Sequence, residues 1–224
     1  MGAGAAERVW GADGCPGDGW VVAELRGRAV RWHAVVGARA LLALVGDDVL
    51  AADVPIGLPD AGPRACDVAA RARLRGGGAS SVFAAPPRAV LAHATYAAAR
   101  PHAPSLSAQS FALVARIRDV DARLREQGPA VHARVVECHP EVSFRALTGR
   151  VLPRKRSAPG ALLRLRALEA ALGPVPDDPP AGAGLDDALD ALACAWSARR
   201  WARGEAEVLG GEVDALGVPM RIVV

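Results

Sequence analysis

Three acids each close an apolar run. Asp13 ends VWGAD, Asp53 ends VLAAD and Glu137 ends RVVE. Nearer the C-terminus, LDDALDALACAW adds Asp186, Asp187 and Asp190, and the last two share a helical face because they are three apart. Carboxylates gathered at one point repel and raise one another's pKa. A hard divalent cation, Mg²⁺ or Mn²⁺, removes that repulsion and accepts oxygen ligands. The chemistry this suits is phosphodiester hydrolysis, in which two cations roughly 4 Å apart serve the attacking and the leaving oxygen.

On this reading Asp13 bridges the metals, Asp53 and Glu137 hold one each, and Asp187 or Asp190 completes the second site. His139 follows Glu137 by two, so an extended chain carries it on the same side, where it positions water or assists the leaving group. Lys155, in PRKRS, offsets phosphate charge, as do Arg64 or Arg88. A structural role competes with each assignment. Asp13 before glycine suits a turn, Asp53 before Val-Pro suits a loop, and Glu137 suits an arginine partner. His139 could cap the helix after Pro140. Asp186, Asp187 and Glu141 suit first helical turns, where acids favour the dipole. Arg64, Asp67 and Arg71 suit an ion-pair ladder.

The elements that must position these residues follow from periodicity. Arg8–Asp13, Trp20–Leu25 and Ala29–Val36 read as an antiparallel meander, its first turn built on DGCPGDG. Ala38–Val45 reads as a helix and Val49–Val54 as a strand stopped by Pro55. A helix follows in RACDVAARARLR, then the glycine-serine loop GGGASS. Helices are expected over Pro86–Arg100 and over Ser107–Gln127, where apolar residues recur at three and four. A strand then ends near Glu137, and helices are expected over Glu141–Thr148, Leu162–Leu172 and Leu185–Arg203. Met220–Val224 reads as an apolar tail or edge strand. Strands followed by helix-separated strands imply a mixed sheet covered by helices. In such sheets ligands bind beyond the carboxyl ends of the parallel strands.

Composition narrows the classes. The 224 residues suit one domain, 1–224, with a helical insertion at about 60–128. A hydrophobic content of 51% supports a core without staples, and aromatics of 4% leave it to alanine and aliphatics. Lys155 is the single lysine among 27 basic residues, so the arginines track overall composition rather than a nucleic-acid signature. A net charge of +3 neither recruits nor repels nucleic acid by itself. Four scattered cysteines without a CxxC pair argue against disulfides and give zinc, through Cys138 and His139, little support. No leader is expected at the N-terminus, and no apolar stretch of about 18 residues predicts a membrane span. A reduced, cytoplasmic setting is expected.

Taken as a set, ADGCPGDGWVVAEL, DVPIGLP, RACDVAARARL, VVECHPEVSF, RKRSAPGALLR and DDALDALACAWSARR resemble the blocks of the domain of unknown function 429 family, in that family's order from about Val9 to Val224. The family is described as a predicted nuclease with an RNase H-like fold. The DALDALA stretch also resembles the final acidic helix of Holliday-junction resolvases. The resemblance implies an α/β fold with a five-stranded sheet, three strands antiparallel and two parallel, and Asp13 on the first. The expected function is metal-dependent cleavage of nucleic acid, DNA or RNA. Two rivals stand beside it: a non-catalytic RNase H-like scaffold, and a phosphotransferase of the actin-like or sugar-kinase type, whose N-terminal Asp-Gly hairpin DGCPGDG faintly resembles.

Overall fold

The computed structural model describes residues 7–224. The leader reading concerns residues partly outside that range. Strands β1 (Arg8–Gly14), β2 (Gly19–Arg26) and β3 (Ala29–Val36) form the expected antiparallel meander. The first hairpin closes where the Cys15 amide donates to the Gly19 carbonyl at 3.0 Å. Gly17, at φ +71°, takes the left-handed turn that a side chain would resist. Helix α1 (Gly37–Val45) returns the chain to β4 (Val49–Ala52), which lies parallel to β1.

A long excursion follows, carrying α2 (Ala65–Arg73), α3 (Tyr96–Ala99), α4 (Ala108–Ala112) and α5 (Val114–Gln127). It ends in β5 (Val135–Cys138), parallel to β4. Helices α6 (Pro140–Thr148), α7 (Ala158–Leu172) and α8 (Leu185–Ala202) lead to β6 (Val208–Val213) and β7 (Pro219–Val223). The order across the sheet is β3-β2-β1-β4-β5-β7-β6.

The protein is therefore an α/β fold whose mixed sheet has, among the described residues, seven strands and not the expected five. The missed strand is β6, VLGGEV. Gly210 and Gly211, at φ +77° and +137°, break its apolar alternation and sit at a bulge against β7. The C-terminal tail is likewise not an edge: β7 runs parallel to β5 and antiparallel to β6, between them. The helix expected over Pro86–Arg100 is instead a 3-10 turn at Arg88–Ala92 and the short α3, since two prolines precede it and it lacks an apolar stripe. The helix expected over Ser107–Gln127 bends at Leu113 into α4 and α5.

Side-chain alternation gives the sheet two distinct faces. Val9, Val21, Ala51, Val136 and Cys138 pack with α8, α6 and α7 in one core. Trp10, Ala12, Leu50, Ala52 and Val135 pack with α1 and α5 in the other. Helix α8 crosses β1 so closely that a methyl group on Gly11 would overlap the Ala191 carbonyl and the Ala195 amide. Glycine is present there for space, since its φ is not left-handed. This close approach sets α8, and with it Asp190, over the end of β1.

Replacing Gly11 by alanine should therefore force α8 off the sheet. We expect a loss of about 1–3 kcal/mol, toward the upper end because the obstacle is backbone. Denaturant unfolding of Gly11→Ala checks this, and an unchanged midpoint contradicts the close approach.

Candidate active site at the carboxyl ends of the parallel strands

Asp13 is the next-to-last residue of β1, and Asp53 follows β4 directly. The register pairs Ala12 with Ala52, and the Asp53 amide donates to the Ala12 carbonyl at 2.9 Å. Both aspartates therefore emerge side by side, on the sheet face that α8 covers. Asp190 descends from α8 and is buried. These three acids line one cleft of about 890 Å³.

Glu137 is in the same cleft wall but not in the same cluster. Its register partner is Ala52, one residue before Asp53, so its side chain leaves the opposite face of the sheet. There it accepts two hydrogen bonds from Arg64, each 2.7 Å, and one from the Ile56 amide at 2.7 Å. Arg64 also holds Asp67 and the carbonyls of Ile56 and Gly57. The structural role weighed for Glu137, pairing with an arginine, describes this geometry. Arg64 is accordingly buried, and Arg88 is tied to Asp121 and Asp214, so neither of these arginines faces the cleft as a free cation.

Asp187 is half-buried and accepts from the Gly184 amide at 3.1 Å, which places it as a cap on the start of α8. Its charge still bears on Asp13. Asp186 binds Arg156 at 3.1 Å and faces solvent in part. His139 lines the cleft, and its Nε2 meets the Ser81 carbonyl at 3.3 Å. A carbonyl only accepts, so Nε2 carries the proton and Nδ1 is bare; Nδ1 is buried without a partner. Burial lowers the His139 pKa, so the ring is neutral at physiological pH.

Lys155 is the cation of the cluster. Its Nζ donates to Asp190 Oδ2 at 2.5 Å and stands 3.8 Å from Asp186. Burial alone would lower its pKa, yet the charge and hydrogen bond of Asp190, with Asp13 and Asp186, hold the ammonium above its ordinary value. The acids move the other way. Burial pushes Asp13 well above the usual carboxylate range, and Asp53 and Asp190 push it further. Burial raises Asp53 to about 6 against the pull of Lys155 and Arg116. Burial raises Asp190 to about 7 despite Lys155, with Asp53 and Glu141 adding to the rise.

Two members of this site carry no local signal that marks them. Glu141, in the first turn of α6, looks like an ordinary helix-start acid, yet it lines the cleft and bears on Asp53 and Asp190 while bound to Arg164 by two 2.8 Å bonds. Arg116, on α5, reaches the β1–β2 hairpin about a hundred residues earlier in the chain, a contact that no sequence spacing announces.

Among the described residues, no three His, Cys, Asp or Glu side chains are grouped as a ready-made metal cage. The donor set nevertheless matches a hard cation. It consists of carboxylates whose ionised forms are penalised by burial, and one buried oxygen, Asp190 Oδ1, has no hydrogen-bond partner among the described residues. Asp13, Asp53 and Asp190 are the residues that would hold such an ion.

A carboxyl whose pKa is raised by folding binds its proton more tightly in the folded than in the unfolded state, so stability falls as pH rises between the two values. In metal-free buffer the parent should lose stability relative to Asp53→Asn as pH rises from 3.8, the ordinary value, to about 6. Denaturant unfolding at a series of pH values checks this. Parallel stability curves for parent and variant contradict it.

A family model described as "Protein of unknown function (DUF429)" matches residues 11–215, a span that includes Asp13, Asp53, Lys155 and Asp190. No curated relative and no solved structure matches the chain. Among the described residues no helix is long and apolar enough to cross a membrane. With the match running from β1 to the turn after β6, the chain belongs to the DUF429 family.

Proposed function

We propose that this protein is a divalent-metal-dependent nuclease of RNase H-like fold, hydrolysing phosphodiester bonds of DNA or RNA in the cytoplasm. One observation carries the reading: Asp13, Asp53 and Asp190 are drawn into a single cleft with raised pKa values and, among the described residues, only Lys155 bonded to them as a counter-cation. Burying three like charges against a single counter-cation is unfavourable, and strongly perturbed acids of this kind cluster at functional sites. The fold assignment draws support from the order β3-β2-β1-β4-β5, a meander followed by parallel strands, with an acid on the central β1. Strands β6 and β7 extend that core.

When bound, Mg²⁺ or Mn²⁺ supplies Lewis-acid stabilisation of the charged phosphodiester oxygens. Asp13, Asp53 and Asp190 would hold it, and Asp187 adds negative charge beside Asp13. The remaining steps belong to the chain's own groups. Arg145, Arg150 and Arg154 line the cleft and draw a polyanion towards the acids. Lys155, on the same wall, exchanges its hold on Asp190 for a phosphate oxygen. His139 lines the same cleft as a neutral ring.

The rival, a non-catalytic scaffold of the same fold, is favoured by the Lys155–Asp190 pair, which neutralises part of the cluster without any metal. A cleavage assay on single-stranded and duplex DNA and RNA with Mn²⁺ separates the two. The parent should cut at least one of these. Asp13→Asn and Asp190→Asn should each lose more than the roughly 10- to 100-fold typical of a residue that only supports a metal ligand. Millimolar Mn²⁺ should raise the melting temperature of the parent and not that of Asp13→Asn. Equal cutting by Asp13→Asn, or no Mn²⁺ shift in the parent, overturns the assignment.

A further inference from the structure

We propose that the guanidinium of Arg116, laid against the β1–β2 hairpin beside Asp13, is an anion site that binds a phosphate of the nucleic-acid backbone. The choice of ligand rests on the nuclease reading above. The site itself rests on local geometry.

Arg116 projects from the first turn of α5 across to the hairpin. Three hydrogen bonds fix it, to the carbonyls of Cys15 (2.7 Å), Gly17 (2.9 Å) and Gly19 (3.3 Å), and all three leave from Nη2. The guanidinium carbon stands 5.1 Å above the Trp20 ring, which holds the plane in place. Nε is buried and has no acceptor among the described residues. Every bonded partner is a neutral carbonyl, so the positive charge is oriented but not neutralised at hydrogen-bond distance.

The neighbouring glycine makes room for this arrangement. A methyl group on Gly14 would overlap Nη1 and Cζ of Arg116. Gly14 does not have a left-handed φ, so backbone freedom does not explain it. Nη1 therefore lies against the residue that follows Asp13, and both line the acid cleft together with Asp53 and Lys155.

A phosphodiester entering that cleft meets Asp13, Asp53 and Asp190. It needs a fixed cation to offset their repulsion, and with Nη2 held by carbonyls and Nε buried, Nη1 is the nitrogen left to donate to a phosphate oxygen. Lys155 is a poor candidate for that fixed role because Asp190 already holds its ammonium. Arg116 has the charge, the rigidity and the position.

The test is fluorescence anisotropy of a short labelled single-stranded oligonucleotide, in EDTA, over a series of salt concentrations. Parent, Arg116→Ala, Gly14→Ala and the double variant are compared, with melting temperatures for each. One lost phosphate contact should lower the slope of log K against log salt by roughly 0.7. We expect that loss in Arg116→Ala and in Gly14→Ala, where the new methyl would overlap the guanidinium rather than any backbone atom and displace it from its carbonyls. The double variant should be no weaker than either single one. A merely structural role for Arg116 would change melting temperature and leave the slope as in the parent. If Arg116→Ala fails to fold, Gly14→Ala carries the comparison.

A parental slope in both single variants overturns the proposal, as does a parent that binds no oligonucleotide. Cleavage with Mn²⁺ is scored separately. A parent with an Arg116-dependent slope that never cuts removes the nuclease reading and leaves this site standing. A parent that cuts, with both variants keeping its slope and rate, does the reverse.

Discussion

Negative charges do not share a buried space without compensation, and much of this molecule follows from having placed three of them together. Asp13 and Asp53 are brought side by side by the parallel pairing of β1 with β4. Asp190 joins them because α8 rests on Gly11 with no side chain between helix and strand. The sheet register and one missing Cβ thus determine the electrostatics. Protonation, the Lys155 ammonium and the nearby Arg116 guanidinium each relieve part of the repulsion.

Glu137 shows what a structurally resolved buried acid looks like. It sits at the same sheet edge, yet one step of register turns it to the other face, where Arg64 meets both of its oxygens. Arg64 in turn satisfies Asp67 and two loop carbonyls, so the chain around Pro55 is tied to α2 and β5. Removing one partner of such a pair would strand a buried charge, about 3–5 kcal/mol of destabilisation. Asp190, by contrast, has one oxygen on Lys155 and one on nothing. That contrast distinguishes acids that hold the fold from acids that the fold holds.

Much of this was legible in the amino-acid order. The first five strands and the long α8 follow from apolar periodicity and stop signals. So does the exit of Asp13 and Asp53 from the core. The failures have physical causes. An acid at the end of a strand says nothing of which face it leaves, and Glu137 differs from Asp53 only in that parity. The glycines of β6 hid a strand whose backbone still pairs. Arg116 and Glu141 act through contacts between distant segments, and a helical arginine or a helix-start acid looks the same whether or not a cleft lies beside it.

The central claim is that these acids give up protons to take a divalent ion. Titrating Mn²⁺ into the protein by calorimetry at about pH 6.5, in buffers of different ionisation enthalpy, measures it directly, because ligands that bind metal must be deprotonated. The account predicts binding with net proton release, reduced in Asp53→Asn and in Asp190→Asn. Absence of binding, or binding whose heat is the same in every buffer, contradicts it.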